Sequence, residues 1–326
     1  MSTVLGDMAI ERGGVYQHLL LIEEPEAHLH PQLQELVHTF LSDTNQGDAN
    51  IQIIFTSHSP TLASKVDIGN INLIYENAHK KYCLPFSEAN LTDANKEYLQ
   101  KYLDVTKSQM FFAKGIIFVE GISEAILLPE IAKILDRPLE KYAVELVNVD
   151  SVAFSPFVNL FSSQNVQTCF SKVAIVTDDD RCTKKSETNY ISGKLLSGTP
   201  SERCNELETL CRAVGINVFK ATKTLEYALC CDENNIEYFI EAIKSEYSQL
   251  GPALEQKVNS LHDMNEKAAC VWLFIRAREK CKGAIAQYIS QIIKKQCEMR
   301  KRGENIEKEF VIPDYLKEAV YCVTER

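Results

Sequence analysis

No stretch of the chain approaches the roughly 18 consecutive apolar residues that a membrane-crossing helix needs. The opening string MSTVLGDMAIERGG also lacks the basic-then-apolar order of a secretory leader. These absences point to a cytoplasmic protein without a membrane partner. The eleven cysteines are odd in number and scattered, and no CxxC pair occurs, so a zinc ribbon is not expected. Cys230 and Cys231 are adjacent, which is poor geometry for a simple disulfide, and the thiols are read as reduced. A GxxxxGK[ST] string is missing too: Gly193-Lys194 is followed by Leu195 and has no earlier glycine at the right spacing. The chain therefore has no loop of the kind that cradles the α- and β-phosphates of a nucleotide. A formal charge of −10 excludes a wholly basic nucleic-acid coat but leaves room for a local basic face.

What is present is an ordinary globular composition, 45% hydrophobic and 25% charged over 326 residues, enough for two domains or three small ones. Short apolar runs alternate with amphipathic stretches. Strands are expected at 19–22, 51–55 and 71–75, with helices at 31–41 and 93–103. A second series begins at Ile116, with strands at 116–119, 144–149, 173–176 and 216–219. Its helices fall at 124–135, 153–165 and 201–213, and a polar loop at 183–200. After residue 232 the pattern is helical, at 235–248, 264–280 and 283–300. Alternation of this kind predicts an α/β fold with a mostly parallel sheet. The expected boundaries divide the chain into 1–110, 111–231 and 232–326.

Two strings carry chemistry. In LLLIEEPEAHLHP (19–31) an apolar strand ends in Glu23 and Glu24, and a second strand, IQIIF, ends in TSHSP with His58. Acids at such a strand end can hold Mg²⁺ and polarise an attacking water, and a histidine on the neighbouring strand can reach a γ-phosphate. In IFVEGISE (117–124), Glu120 closes a strand, Gly121 permits the turn, and Glu124 lies one helical turn along. VAIVTDDD (173–180) ends another strand in acids. Alternation sends Asp178 and Asp180 to one side and Asp179 to the other, where it is expected to support the site or face solvent. Carboxylates converging in one crevice are tolerated when divalent cations neutralise them, and oxygen-only ligands suit Mg²⁺ or Mn²⁺. Two such ions can clamp an in-line phosphodiester displacement.

The first constellation resembles ATP-binding-cassette type ATPases of the RecF, SMC and OLD group. Glu23 stands where that group usually has Asp, and no LSGGQ-type signature precedes it; Glu11-Arg12-Gly13-Gly14 is at best a remnant. The second constellation resembles the Toprim domain of topoisomerases, primases, RecR-type proteins and OLD (overcoming lysogenization defect) nucleases. KTLEYAL (223–229) and KGAIAQYIS (282–290) are similar to two further OLD strings. The resemblance implies that Glu226 completes the metal site and that Lys282 assists catalysis. The implied architecture is a partial ABC-type ATPase half, a Rossmann-like Toprim sheet and a C-terminal helical region.

The implied activity is a DNA endonuclease with Mg²⁺ or Mn²⁺, two ions among Glu120, Glu124, Asp178, Asp180 and Glu226. The resemblance further implies a role in anti-phage defence and a homodimer. A partner, a split gene or a truncated N-terminus is expected to account for the missing ATPase half, and ATP enters only if that half is supplied. Residues 276–302 hold nine Lys or Arg against Glu279 and Glu298, which could track a DNA backbone or form a solvated helix face. The competing reading is a non-catalytic nucleic-acid-binding or regulatory remnant. A Toprim primase or topoisomerase is disfavoured for want of zinc-ribbon cysteines.

Overall fold

The computed structural model describes residues 18–47, 51–77, 79–151, 153–162, 172–181 and 198–325. The Glu11–Gly14 remnant, Gly193-Lys194, most of the loop expected at 183–200 and the end of the helix expected at 153–165 lie outside these residues. The chain divides into two compact units, Met1–Tyr75 with Lys81–Phe112, and Glu76–Lys80 with Ala113–Arg326.

In the first unit, β1 (His18–Glu23) and β2 (Ile51–Thr56) pair in parallel with Glu23 level with Thr56, and α1 (Pro31–Gly47) connects them. Proline at the first position of α1 costs nothing there, since its missing N–H would find no partner in the helix. A short turn of helix, α2 (Pro60–Ala63), is capped by the Ser59 side chain. β3 (Asn72–Asn77) and β4 (Lys80–Pro85) form a separate two-stranded sheet. α3 (Asp93–Tyr102) and α4 (Val105–Ser108) follow, capped by Thr92 and Asp104. Leu19, Leu21 and Ile54 of the β1–β2 pair are exposed.

The second unit is built on a four-stranded, all-parallel sheet of order β6-β5-β7-β8. The strands are β5 (Gly115–Val119), β6 (Val144–Asn148), β7 (Lys172–Asp178) and β8 (Asn217–Ala221). Among the described residues the connections carry α5 (Ile122–Ile134), α6 (Ser155–Asn159) and α7 (Glu202–Val214) in turn. Every residue of β5 is buried, as a central strand covered on both faces requires. Alternation explains the covering. Phe118 packs with Phe157 and Phe161 on one face, while Ile117, Val119, Ala174 and Val176 join the main apolar core on the other.

That core is completed by the C-terminal helices: α8 (Leu225–Cys230), α9 (Glu233–Glu246), α10 (Leu250–Asn259), α11 (Met264–Arg276), α12 (Lys282–Arg302) and α13 (Asp314–Thr324). α12 packs along α5, and α13 packs on β5, β7 and β8. α10 and α13 stand where no helix is expected from the sequence. Leu316, Ala319, Val320 and Val323 of α13 nevertheless fall at helical spacing and are all buried. No helix among the described residues is long and apolar enough to cross a membrane, and the nine described cysteines are free thiols.

Candidate metal centre

Parallel strands bring their carboxyl ends to one edge of the sheet, where open α/β folds build their sites. Val119 is level with Val176, so Glu120 follows β5 beside Thr177 of β7, and the Thr177 hydroxyl donates to Glu120 Oε2 at 2.8 Å. Gly121 caps α5 with an extended backbone, and Glu124 falls in the first turn of that helix, buried. A carboxylate there benefits from the exposed N–H groups of the helix start. Asp178 ends β7, and its Oδ1 accepts from the Leu225 backbone N–H at 2.9 Å. Thr224 caps α8 and so sets Glu226, also buried, in the first turn. Ser123 donates to Glu226 Oε1 at 3.3 Å, and Lys282 Nζ lies 3.8 Å from the same oxygen. Lys282 arrives from the first position of α12, which α5 holds in place.

The electrostatics show how closely these acids are gathered. Burial, then Glu226 and Glu120, push the Glu124 carboxyl up to about 7, against which Lys282 acts weakly. Burial, then Glu124, Glu226, Glu120 and Asp180, drive Asp178 well above the usual carboxylate range. Asp180 is turned differently: its backbone adopts a φ of +46° and its Oδ2 meets the Arg203 guanidinium at 2.5 Å. The structure thus brings Glu120, Glu124, Asp178, Glu226 and Lys282 to one edge, and Asp180 to its rim. Among the described residues no three acids, imidazoles or thiols stand at metal-ligand spacing.

Asp179 faces away from the cluster and is only 2% exposed. Its Oδ1 accepts from the backbone N–H of Arg181 and Lys223, and its Oδ2 from the Arg181 guanidinium. It fastens the loop after β7 to the loop after β8, the support role rather than the solvent one. Lys223, strained at a φ of +69°, returns its ammonium to the Arg181 carbonyl.

Two residues near the centre are not apparent in the sequence. Arg203, at the start of α7, pairs with Asp180 and lies 3.8 Å from Glu120. Tyr315 of α13 has a buried hydroxyl with no hydrogen-bond partner among the described residues, and burial together with Asp178, Glu124 and Glu226 pushes its phenol well up. The SER string that opens α7 is a weak hint of the first; nothing around VIPDYLKEAV hints at the second.

The basic run is partly used inside the protein. Arg276 stacks over Trp272, and Arg278 over Phe274. Arg300 pairs with Glu309 and donates to the Ile134 carbonyl that ends α5, and Arg302 lies near Glu298 and Glu304. Lys280, Lys294, Lys295 and Lys301 are exposed.

In the first unit, Glu24 and His58 approach to 3.5 Å on an exposed edge. Glu24 takes a φ of +43° and is tied by its N–H to Thr56, while Glu23 is exposed at the end of β1. The residue overlooked in EEPE is Glu26. Buried, its Oε1 accepts from the Ser57 hydroxyl and the His58 N–H and so sets the TSHSP turn.

Two family models match parts of the chain. Residues 111–180 match the family "Overcoming lysogenization defect protein-like, TOPRIM domain". Residues 8–64 match "AAA domain, putative AbiEii toxin, Type IV TA system". The chain is similar to an Endonuclease GajA of Bacillus cereus, 29% identical over 58% of this chain and 31% of the relative. It is also similar to an OLD nuclease of Thermus scotoductus, 27% identical over 33% of this chain and 21% of the relative. The chain therefore spans about a third or less of the length of these curated relatives. A solved C-terminal region of the Xanthomonas campestris OLD protein covers 67% of this chain and 95% of its own, with 22% identity and a TM-score of 0.42.

Proposed function

Starting from a chain whose residues 111–180 carry an OLD-like Toprim domain, we propose that this protein is a divalent-metal-dependent DNA endonuclease acting at the carboxyl edge of its parallel sheet. The observation that carries the reading is the gathering of Glu120, Glu124, Asp178 and Glu226 against Lys282. Burial and the neighbouring acids raise Glu124 and Asp178, and the donor set is all oxygen, which fits Mg²⁺ or Mn²⁺. Glu124, Asp178 and Glu226 would hold one ion, with Glu120 and Asp180 joining when a second binds. A bound divalent ion supplies an activated water and neutralises charge on the phosphodiester.

The chain's own residues prepare that site. Thr177 fixes Glu120 and Ser123 fixes Glu226 by hydrogen bonds. The Asp179 latch holds the loop bearing Asp180 to the loop preceding Glu226. Lys282, at the mouth of the cluster, offers an ammonium to the charge that builds on the phosphate during displacement. The exposed lysines of α12 are available to the DNA backbone. Handling of ATP through Glu23, Glu24 and His58 would require a phosphate-cradling loop supplied in addition to these residues. A cytoplasmic role in anti-phage defence, in a homodimer, belongs to the same proposal.

The test is nicking of supercoiled plasmid by the purified chain in Mg²⁺ or Mn²⁺, with Asp178→Ala as the control. Cleavage that depends on the metal and disappears in the folded variant supports the reading. DNA binding without cleavage in either metal refutes it and favours a non-catalytic binding role.

A further inference from the structure

The five acids expected to share one centre are divided by a cation of the protein itself. Glu226 lies against Ser123 and Lys282, Glu124 is buried in the same helical turn as that serine, and Asp178 accepts from the N–H of Leu225 next to Glu226. Glu120 and Asp180 instead share Arg203, whose Nη2 lies 2.5 Å from Asp180 Oδ2 and 3.8 Å from Glu120 Oε2. We propose that Arg203 takes the place of a second cation, so that the protein binds one divalent ion tightly at Glu124, Asp178 and Glu226 and a second only by displacing the guanidinium from Asp180.

The neighbouring Asp179–Arg181 pair shows what a permanent clamp looks like here. Asp179 is fully enclosed, engages two guanidinium nitrogens and receives two backbone N–H groups besides. Arg203 makes a poorer bond. It reaches Asp180 through a single nitrogen, while Asp180 itself is 42% exposed. Its Nη1 is buried and has no hydrogen-bond partner among the described residues. A guanidinium with five donors and a fork shaped for two oxygens is here half used. The unpartnered donor disfavours this arrangement and lowers the cost of leaving it. Asp180, held at a φ of +46°, is thereby kept at the rim. The two halves of the site carry unequal charge: one holds a guanidinium between two acids, the other three acids beside the single ammonium of Lys282.

The inference rests on the metal-dependent reading above, so its test counts ions rather than cleavage. Mn²⁺ is titrated into the metal-free full chain at pH 8, with bound ions followed by calorimetry and electron paramagnetic resonance. The wild type is expected to bind a second ion about tenfold or more weaker than the first, and Arg203→Gln to bind both with similar affinity. Asp180→Asn is expected to lose the second ion and keep the first. Two ions of equal affinity in the wild type, or a second ion unchanged by Arg203→Gln, would overturn the inference and leave the metal reading standing. No Mn²⁺ bound by the folded wild type would overturn the metal reading itself. Should Arg203→Gln not fold, the wild-type ratio alone decides.

Discussion

Replacing Glu124 with glutamine should stabilise the metal-free protein while removing one ligand of the proposed metal site. Glu124 is 6% exposed, and its carboxyl is raised from 4.5 to about 7 by burial and by Glu226 and Glu120. An acid raised in this way contributes its full stability while protonated, below about pH 4.5, and loses it as pH climbs through 7. At roughly 1.4 kcal/mol per pH unit, the loss amounts to about 3 kcal/mol by pH 8. Glutamine has the same shape and carries no charge at any pH, so the loss does not occur. Thermal unfolding in a chelator at pH 8 should therefore give the variant a midpoint higher by roughly 5 to 10 °C. At pH 5, where the wild-type carboxyl is largely protonated, the gap should shrink to about 3 °C or less. Adding Mn²⁺ at pH 8 should raise the wild-type midpoint and narrow the gap or reverse it, because the ion stabilises only the protein that binds it. A variant no more stable than the wild type at pH 8, or an equal gap at both pH values, would refute the reasoning.

Three further outcomes follow from the geometry. Asp179→Ala strips a buried latch of all its acceptors and should cost about 3 kcal/mol or more in chemical denaturation, with cleavage falling as the two loops separate. Tyr315→Phe removes a buried hydroxyl that has no partner among the described residues and should raise the stability of the metal-free protein by about 1 kcal/mol, whereas a loss would mean that the hydroxyl is satisfied in solution. The pair Lys294→Glu and Lys295→Glu should weaken DNA binding and lower its salt slope by about 2, measured by fluorescence anisotropy across a salt series, with Mn²⁺ affinity unchanged.

Much of this arrangement was legible in the residues. The strand ending in Glu120-Gly121 and the strand ending in Asp178 announce themselves by apolar runs that stop at acids. Both stand as parallel neighbours in the sheet. Thr224 before Glu226 is a readable helix cap, and it performs that task. Less was legible where the cause is distant in sequence. Arg203 begins a helix in which the sequence shows no site, and its pairing depends on the start of α7 lying beside the residues that follow β5 and β7. Tyr315 sits on a terminal helix whose apolar spacing is clear but whose docking site is not. The basic run of 276–302 misleads, because the aromatic faces and acids that absorb Arg276, Arg278, Arg300 and Arg302 lie on other turns and other segments.

The sequence by itself determined the alternation of strand and helix, and with it the edge at which Glu120, Asp178 and Glu226 would gather. Side-chain period and turn chemistry are local, and they act wherever the residues occur. The tertiary structure alone decided how the charge at that edge is shared. Which acids face a buried neighbour, which meet Arg203, and which are locked to Arg181 depends on distances of a few ångströms between segments far apart in the chain. Coulomb energies and desolvation change over those same few ångströms.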